Sequence, residues 1–429
     1  MKRQNLRKQA LITGLNDALV RGLGFAMRLW VSRQLGAEAL GVMELASGAH
    51  ILALTPASAG LPGAVSRLTA KSSSEEERQL VFRAGRQLAL GLSLIICPVF
   101  LLLAPAIARM LGDMRTLPSL LFFTPCVFFI GLSSVYDGAC YGRGNAWPPA
   151  VSELTEQLFR MAITCLLLCA LPRLTIPWRA AAPALAGMMG EGAGLIMVML
   201  LCRPAYRSRN TQALPALRKK IRRLALPLML SRLSHTGLKA LCGAIIPARL
   251  MACGLPQGEA MSRLGMLNGM AMPLMFLPGL LSGALATVGG PAIARCRNPR
   301  QEGRLSLRLA ALSLACGLGC AGVLYALAPI IALRLYRQPE VGEMIRVLCP
   351  MAVMLPLQQV LTGLMTGLGL QKKTLAASLL GAAATLLCTW QWTAVPRLHI
   401  LGAGYAQMAG HALTLFSLLV FFLCRRKLR

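Results

Sequence analysis

The chain has 429 residues, of which 56% are hydrophobic and only 14% charged, with a mean hydropathy of +0.60. That balance excludes a soluble fold of this size, which needs a far richer charged surface. The net charge of +30 does not imply nucleic acid either. The basic residues fall in short segments between apolar runs, as at Arg207, Arg209, Arg218, Lys219, Lys220 and Arg222, again at 295–308, and in the tail Arg425, Arg426, Lys427 and Arg429.

In chain order, a basic arm (Lys2, Arg3, Arg7, Lys8) leads into apolar stretches of about 20 residues, each able to cross about 30 Å of hydrocarbon as a helix. Spans are predicted at 11–31, 40–63, 87–108, 119–141, 150–171, 181–202, 224–248, 263–289, 306–333, 344–368, 374–395 and 400–424. The fold class expected is therefore an all-α polytopic membrane protein with about 12 transmembrane helices. With the N-terminus inside, Lys and Arg show a roughly threefold bias toward cytoplasmic segments. Both termini are then expected in the cytoplasm, and the location in the cell membrane. Asp17, Arg21 and Arg28 interrupt the first span and no small-residue cleavage site follows, which argues against a removable signal peptide. The fourteen cysteines are scattered along apolar runs. Cys165 and Cys169, like Cys316 and Cys320, share a helix face, but no His or Asp completes a metal set, so all are read as small packing residues and no metal is expected.

The two halves resemble each other at three points. The first and seventh spans carry Arg21-x6-Arg28 and Arg232-x6-Lys239. The second and eighth end in Gly60-Leu-Pro-Gly-Ala-Val-Ser-Arg67 and Val288-Gly-Gly-Pro-Ala-Ile-Ala-Arg295. The fourth and tenth share V-x2-G-x3-G-x-G, from Val135 and from Val360. Six spans per repeat is an even number, so two parallel six-helix repeats are predicted: a lobe over 1–205, a basic cytoplasmic linker over 206–223, and a lobe over 224–429. An axis along the membrane normal would relate them, with a cleft between.

Charges inside spans are costly, about 2.5–3.5 kcal/mol each on insertion scales, and so need a partner, water or a function. At 100° per residue Asp17, Arg21 and Arg28 fall within roughly 40° on one helix face, and Arg232, His235 and Lys239 within roughly 60° on the repeat-equivalent helix. These two cationic stripes are the candidate substrate-binding residues of a central cavity. Snorkelling to headgroups is the alternative reading, strongest for Arg28 near a span end. Asp17, Glu44, Asp137, Glu156 and Arg160 are candidate charge partners or coupling residues. Asp17 is spaced to neutralise Arg21, Glu156 to pair with Arg160, and Glu44 to meet a cation on another helix. Glu153 and Glu191 complete the acidic residues within spans. Gly138/Gly142 and Gly363/Gly367 predict close helix packing, and Pro98, Pro227, Pro278 and Pro356 predict kinks. Gly317-x-Gly319-x2-Gly322 lies in an apolar span with no strand before it, so it is not a dinucleotide fingerprint. There is no G-x4-G-K-[ST] and no Ser-His-Asp or zinc-protease pattern, so no catalytic residue and no cofactor is expected.

Several passages resemble a known group. Arg21-Gly-Leu-Gly-Phe, Ser32-Arg-Gln-Leu-Gly-Ala-Glu-Ala-Leu-Gly41 and Gly60 to Arg67 look like the opening of the stage V sporulation protein B-like polysaccharide exporters. These belong to the multidrug/oligosaccharidyl-lipid/polysaccharide (MOP) flippase superfamily. The block from Gly144 to Arg160 is similar to the family element P-x-A-x-S-x3-E-Q-x2-R, and Ala271-Met-Pro-Leu-Met-Phe-Leu-Pro278 with Pro291-Ala-Ile to its eighth-span signature. The resemblance implies a two-lobe fold of the MATE/MOP type. It implies transport of an undecaprenyl-linked saccharide or peptidoglycan-type precursor across the membrane, in envelope or spore-cortex synthesis. Family members commonly have fourteen spans, so a C-terminal pair is expected to be missing, and Glu44 stands where an uncharged residue is usual. The expected partners are a lipid-linked glycan, membrane lipids and envelope-synthesis enzymes. The chain is expected to act as a monomer, with coupling to the membrane potential, H+ or Na+ left open. A cation-coupled drug exporter, a membrane-embedded transferase and a non-transporting envelope-assembly protein are the rival readings.

Overall fold

A computed structural model of the chain describes residues 2–171, 174–202, 212–279, 298–395 and 397–427, with isolated positions between 282 and 293. Linker residues 203–211 and most of the repeat element at 288–295 lie outside the described residues. Helices occupy the position of every predicted span, and no strand occurs among the described residues. Among the described residues, eight helices are long and apolar enough to cross a membrane. The chain is an all-α, multi-pass membrane protein.

The first helix, α1 (Lys2–Ser58), is two segments joined at Gly36, whose φ of 76° and ψ of 169° break the helical path. Only glycine adopts that backbone without strain, so the first two spans turn on a single residue. After Gly60 (φ 88°) the short amphipathic α2 (Leu61–Lys71) begins. A Cβ at Gly60 would lie 2.5 Å from the Ala225 carbonyl oxygen, so this position also needs glycine for close approach. Helix α3 (Glu75–Met110) opens on a Ser74 cap whose Oγ accepts from the Glu77 N–H at 3.1 Å. Three glutamates then fill its first turn, where the helix dipole favours them. Helices α4 (Leu117–Gly142), α5 (Trp147–Ala170), α6 (Ile176–Leu201) and α7 (Leu214–Ala252) follow. The eighth span is interrupted: α8 (Gln257–Leu264) runs into a π-helical segment (Gly265–Ala271) and a single turn, α9 (Met272–Met275). Helix α10 (Pro299–Ile330) also ends in a π segment, Ile331–Tyr336. Then come α11 (Glu340–Gly367), α12 (Gln371–Trp392) and α13 (His399–Lys427).

Contacts divide the chain into two compact units, and these are not sequential halves. The first comprises Met1–Met27 and Leu45–Ala240, the second Arg28–Glu44 and Leu241–Arg429. This departs in two places from a division into 1–205, 206–223 and 224–429. The early part of α7 joins the first unit because Leu214, Ile221 and Ala225 are buried with Leu61, Val65, Leu80 and Leu195. The tip of α1 joins the second unit because Gly41 and Gly265 bring two backbones together. A Cβ at either would overlap the carbonyl oxygen of Met261 or of Ala37.

Within the first unit α5 packs on α6, and α4 on α6, α3 and α2. The predicted glycine pair appears here: a Cβ at Gly138 would sit 2.6 Å from the Pro62 carbonyl oxygen, and one at Gly142 would sit 2.7 Å from that of Ser66. Within the second unit α12 packs on α13, and α11 on α10 and α13. Gly363 lies against Ala286, while Gly381 and Gly410 bring α12 and α13 into backbone contact. Packing of α4 on α6 brings Cys140 and Cys202 side by side at the two helix ends. Cys126, Cys242 and Cys349 are free and buried.

Candidate functional site

Several charged groups of the first unit collect around α5. Glu156 and Arg160 form the i, i+4 pair that their spacing predicts, and the Arg160 guanidinium also reaches Glu191 of α6 at 3.3 Å. Glycines make this third member possible. A Cβ at Gly190 would lie 2.8 Å from the Glu156 carbonyl oxygen, and one at Gly194 would lie 3.1 Å from the Glu156 Cβ. The Ser152 hydroxyl donates to the Gly194 carbonyl at 2.7 Å, tying the same two helices. One guanidinium is therefore shared between two carboxylates on helices in near-backbone contact. The run Gly190-Glu-Gly-Ala-Gly194, a lone acid between glycines, is the signal that sequence reasoning passed over.

Further along α5, Glu153 accepts a hydrogen bond from Asn16 Nδ2 of α1 at 2.7 Å. Asp17 and Arg21 are both electrostatic neighbours of Glu153. Asp137 of α4 acts on the same region, with Glu153 and Glu156 as its charged neighbours, and its Oδ1 is buried without a hydrogen-bond partner. His50, which the charge patterns did not single out, is buried on α1 with its ring stacked on Phe123 at 4.1 Å and its Nδ1 unpartnered. Arg160 is its charged neighbour.

Arg232, His235 and Lys239 lie on the part of α7 that belongs to the first unit. Arg232 and Lys239 are exposed and His235 is half-buried. Gly237 and Ala240 of the same helix pack against Leu52 and Gly48 of α1. At 100° per residue the charged stripe is turned roughly 135° from that packed face. Arg21 is likewise exposed.

Arg28 belongs elsewhere. Its Nη2 pairs with Glu44 at 2.6 Å and donates to the Asn268 carbonyl at 3.1 Å, both within the second unit. Arg28 and Glu44 stand eight residues on either side of Gly36, and the pairing shows that the two segments of α1 run antiparallel there. The acceptor at Asn268 lies in the π segment, where carbonyls leave the regular helical ladder. Tyr336, at the end of the other π segment, donates its hydroxyl to the Met270 carbonyl at 3.0 Å. In hydrocarbon such carbonyls need substitute donors, and Arg28 and Tyr336 supply them. Nothing in the apolar pattern of 263–289 marked this interruption.

Long apolar helices in two units, with charge confined to a few positions, define a multi-pass membrane protein. The fold matches an inward-facing multidrug resistance MATE family transporter of the MOP superfamily, with a TM-score of 0.74, 18% identity, and 96% of this chain and 97% of that chain covered. It also matches the lipid II flippase MurJ in an inward closed conformation, with a TM-score of 0.76, 12% identity, and coverage of 96% and 87%. Residues 6–297 match the polysaccharide biosynthesis protein family, and the chain belongs to that family. Over 428 residues it is 28% identical to stage V sporulation protein B of Bacillus subtilis (strain 168), covering 96% of this chain and 82% of the relative.

Proposed function

We propose that this protein moves an undecaprenyl-linked saccharide or peptidoglycan-type precursor from the inner to the outer leaflet by alternating access, with both chain termini in the cytoplasm. The observation that carries the reading is the set of exposed cations on the predicted first and seventh spans, Arg21, Arg232 and Lys239, all in the first unit. A glycan headgroup loses many hydrogen bonds in hydrocarbon, each costing several kcal/mol if unreplaced, so it needs a wet path. A phosphate or pyrophosphate linker needs fixed cations along that path. The family match and the names of the relatives support the same substrate class. Outward movement of the anion also runs with an inside-negative potential, by about 2.3 kcal/mol per charge per 100 mV.

The carboxylates Asp137, Glu153, Glu156 and Glu191 outnumber the two guanidinium groups near them, Arg160 and Arg21, and this surplus supports proton or sodium coupling. It also favours the second reading, a cation-coupled exporter of the same superfamily.

The deciding experiment reconstitutes the chain in vesicles with lipid-linked saccharides and follows their exposure at the opposite leaflet. Movement of the glycolipid supports the proposal; movement of a cationic drug in its place supports the exporter. Arg21→Ala and Lys239→Ala should each slow glycolipid movement at least tenfold, about 1.4 kcal/mol, at unchanged protein abundance. Full activity in both variants would remove these residues from the path.

A further inference from the structure

Helix α7 is longer than a membrane is thick. Its 39 residues extend about 58 Å, against about 30 Å of hydrocarbon. The surplus at its N-terminal end is amphipathic. Leu214, Ile221 and Ala225 are buried in the core of the first unit, which fixes this stretch of helix in place. Away from that face stand Lys219, Lys220 and Arg223, with Arg222 on its flank, all four exposed, while Arg218 lies beside the packed face and is half-buried. The helix contains no acidic residue to offset them.

Immediately after these cations the helix surface turns apolar. Leu226 and Leu230, on the side of Lys219 and Arg223, are each about half exposed, at 49% and 50%. In the predicted span 224–248, leucines so exposed mark where hydrocarbon begins. Arg223 precedes Leu226 by three residues, about 5 Å along the axis. The polar layer of a bilayer leaflet is itself about 5–8 Å deep. Arg222 and Arg223 therefore stand at headgroup depth, and Lys219 and Lys220, about 9–11 Å before Leu226, reach it with their long side chains.

We infer that residues 218–223 form a rigid basic ledge that binds the phosphate groups of anionic lipids in one leaflet. Buried apolar contacts hold the ledge in register with the headgroups, so binding requires no ordering of a loop. A soluble anion shares the phosphate chemistry but lacks the acyl chains that would seat it beside Leu226 and Leu230.

The test uses the full chain in nanodiscs of equal parts phosphatidylcholine and phosphatidylglycerol, with native mass spectrometry of the lipids that remain bound. The wild type should retain phosphatidylglycerol in preference. The K219Q/K220Q/R222Q variant should lose that preference by at least about fivefold, the factor expected for even one cation at a charged surface. An equal neutralisation of cations that stand apart from any basic cluster, R109Q/R334Q/R337Q at exposed positions, should leave it unchanged. Should the ledge variant fail to fold, the wild type still decides the matter, because its preference must fade as salt is raised. The inference is overturned if the wild type shows no preference, if salt leaves it unchanged, or if both variants lose it equally. It is also overturned if inorganic pyrophosphate displaces phosphatidylglycerol, which would make the ledge a site for soluble anions.

Discussion

Two arginines, one in each unit, show opposite ways of placing a charge in a spanning helix. Arg28 meets one carboxylate, Glu44, and one displaced carbonyl, that of Asn268. It holds a helical turn against an interrupted helix and leaves no acidic charge over. Arg160 meets two carboxylates, Glu156 and Glu191, with Asp137 and Glu153 nearby. The first arrangement is closed and reads as architecture. The second keeps a surplus of carboxylates, and in a membrane such a surplus persists where protons, ions or substrate come and go.

The sharpest break in this comparison is Arg160→Ala, which leaves two carboxylates facing each other. Destabilisation of about 3 kcal/mol is expected, read as a loss of folded protein in detergent melting. Arg160→Ala/Glu191→Gln should recover part of it by removing one stranded charge. Next comes Gly190→Ala, whose methyl would press on the Glu156 carbonyl and the Arg160 side chain. A loss of about 1–3 kcal/mol from overpacking should accompany altered coupling, measured as a change in the ion dependence of transport. Arg28→Ala should cost about 2 kcal/mol by stranding Glu44 and the Asn268 carbonyl. The double variant Arg28→Ala/Glu44→Gln should regain transport if Arg28 is architectural, and remain inactive if Arg28 contacts the substrate. The smallest effect belongs to Tyr336→Phe. Loss of its hydrogen bond to Met270 should lower stability by about 1 kcal/mol, with transport retained.

The helices themselves were legible, because each span is a long apolar run and the solvent demands a helix. Glu156 with Arg160, and the close packing at Gly138, Gly142 and Gly363, followed from spacing within a single helix. What was not legible lay between helices. Glu191 joins Arg160 only because Gly190 and Gly194 let α6 approach α5. Glu44 finds Arg28 because Gly36 turns the chain through one residue. Asn16 and His50 carry no formal charge at neutral pH, so a search for charges passed over them. The π segment at Gly265–Ala271 has no apolar periodicity of its own, and sits in a run that reads as unbroken helix.

The crossing of α1 between the units at Arg28 and again at Leu45 carries a consequence for how such a chain is made and inherited. Each unit is assembled from two separate stretches of sequence, so no single cleavage can release either one whole. A fragment ending in the basic linker would keep the Gly36 turn while losing the Met261 and Gly265 backbone on which that turn is seated. If the two halves arose by duplication, they have since been stitched together, and they must now be synthesised, folded and mutated as one object.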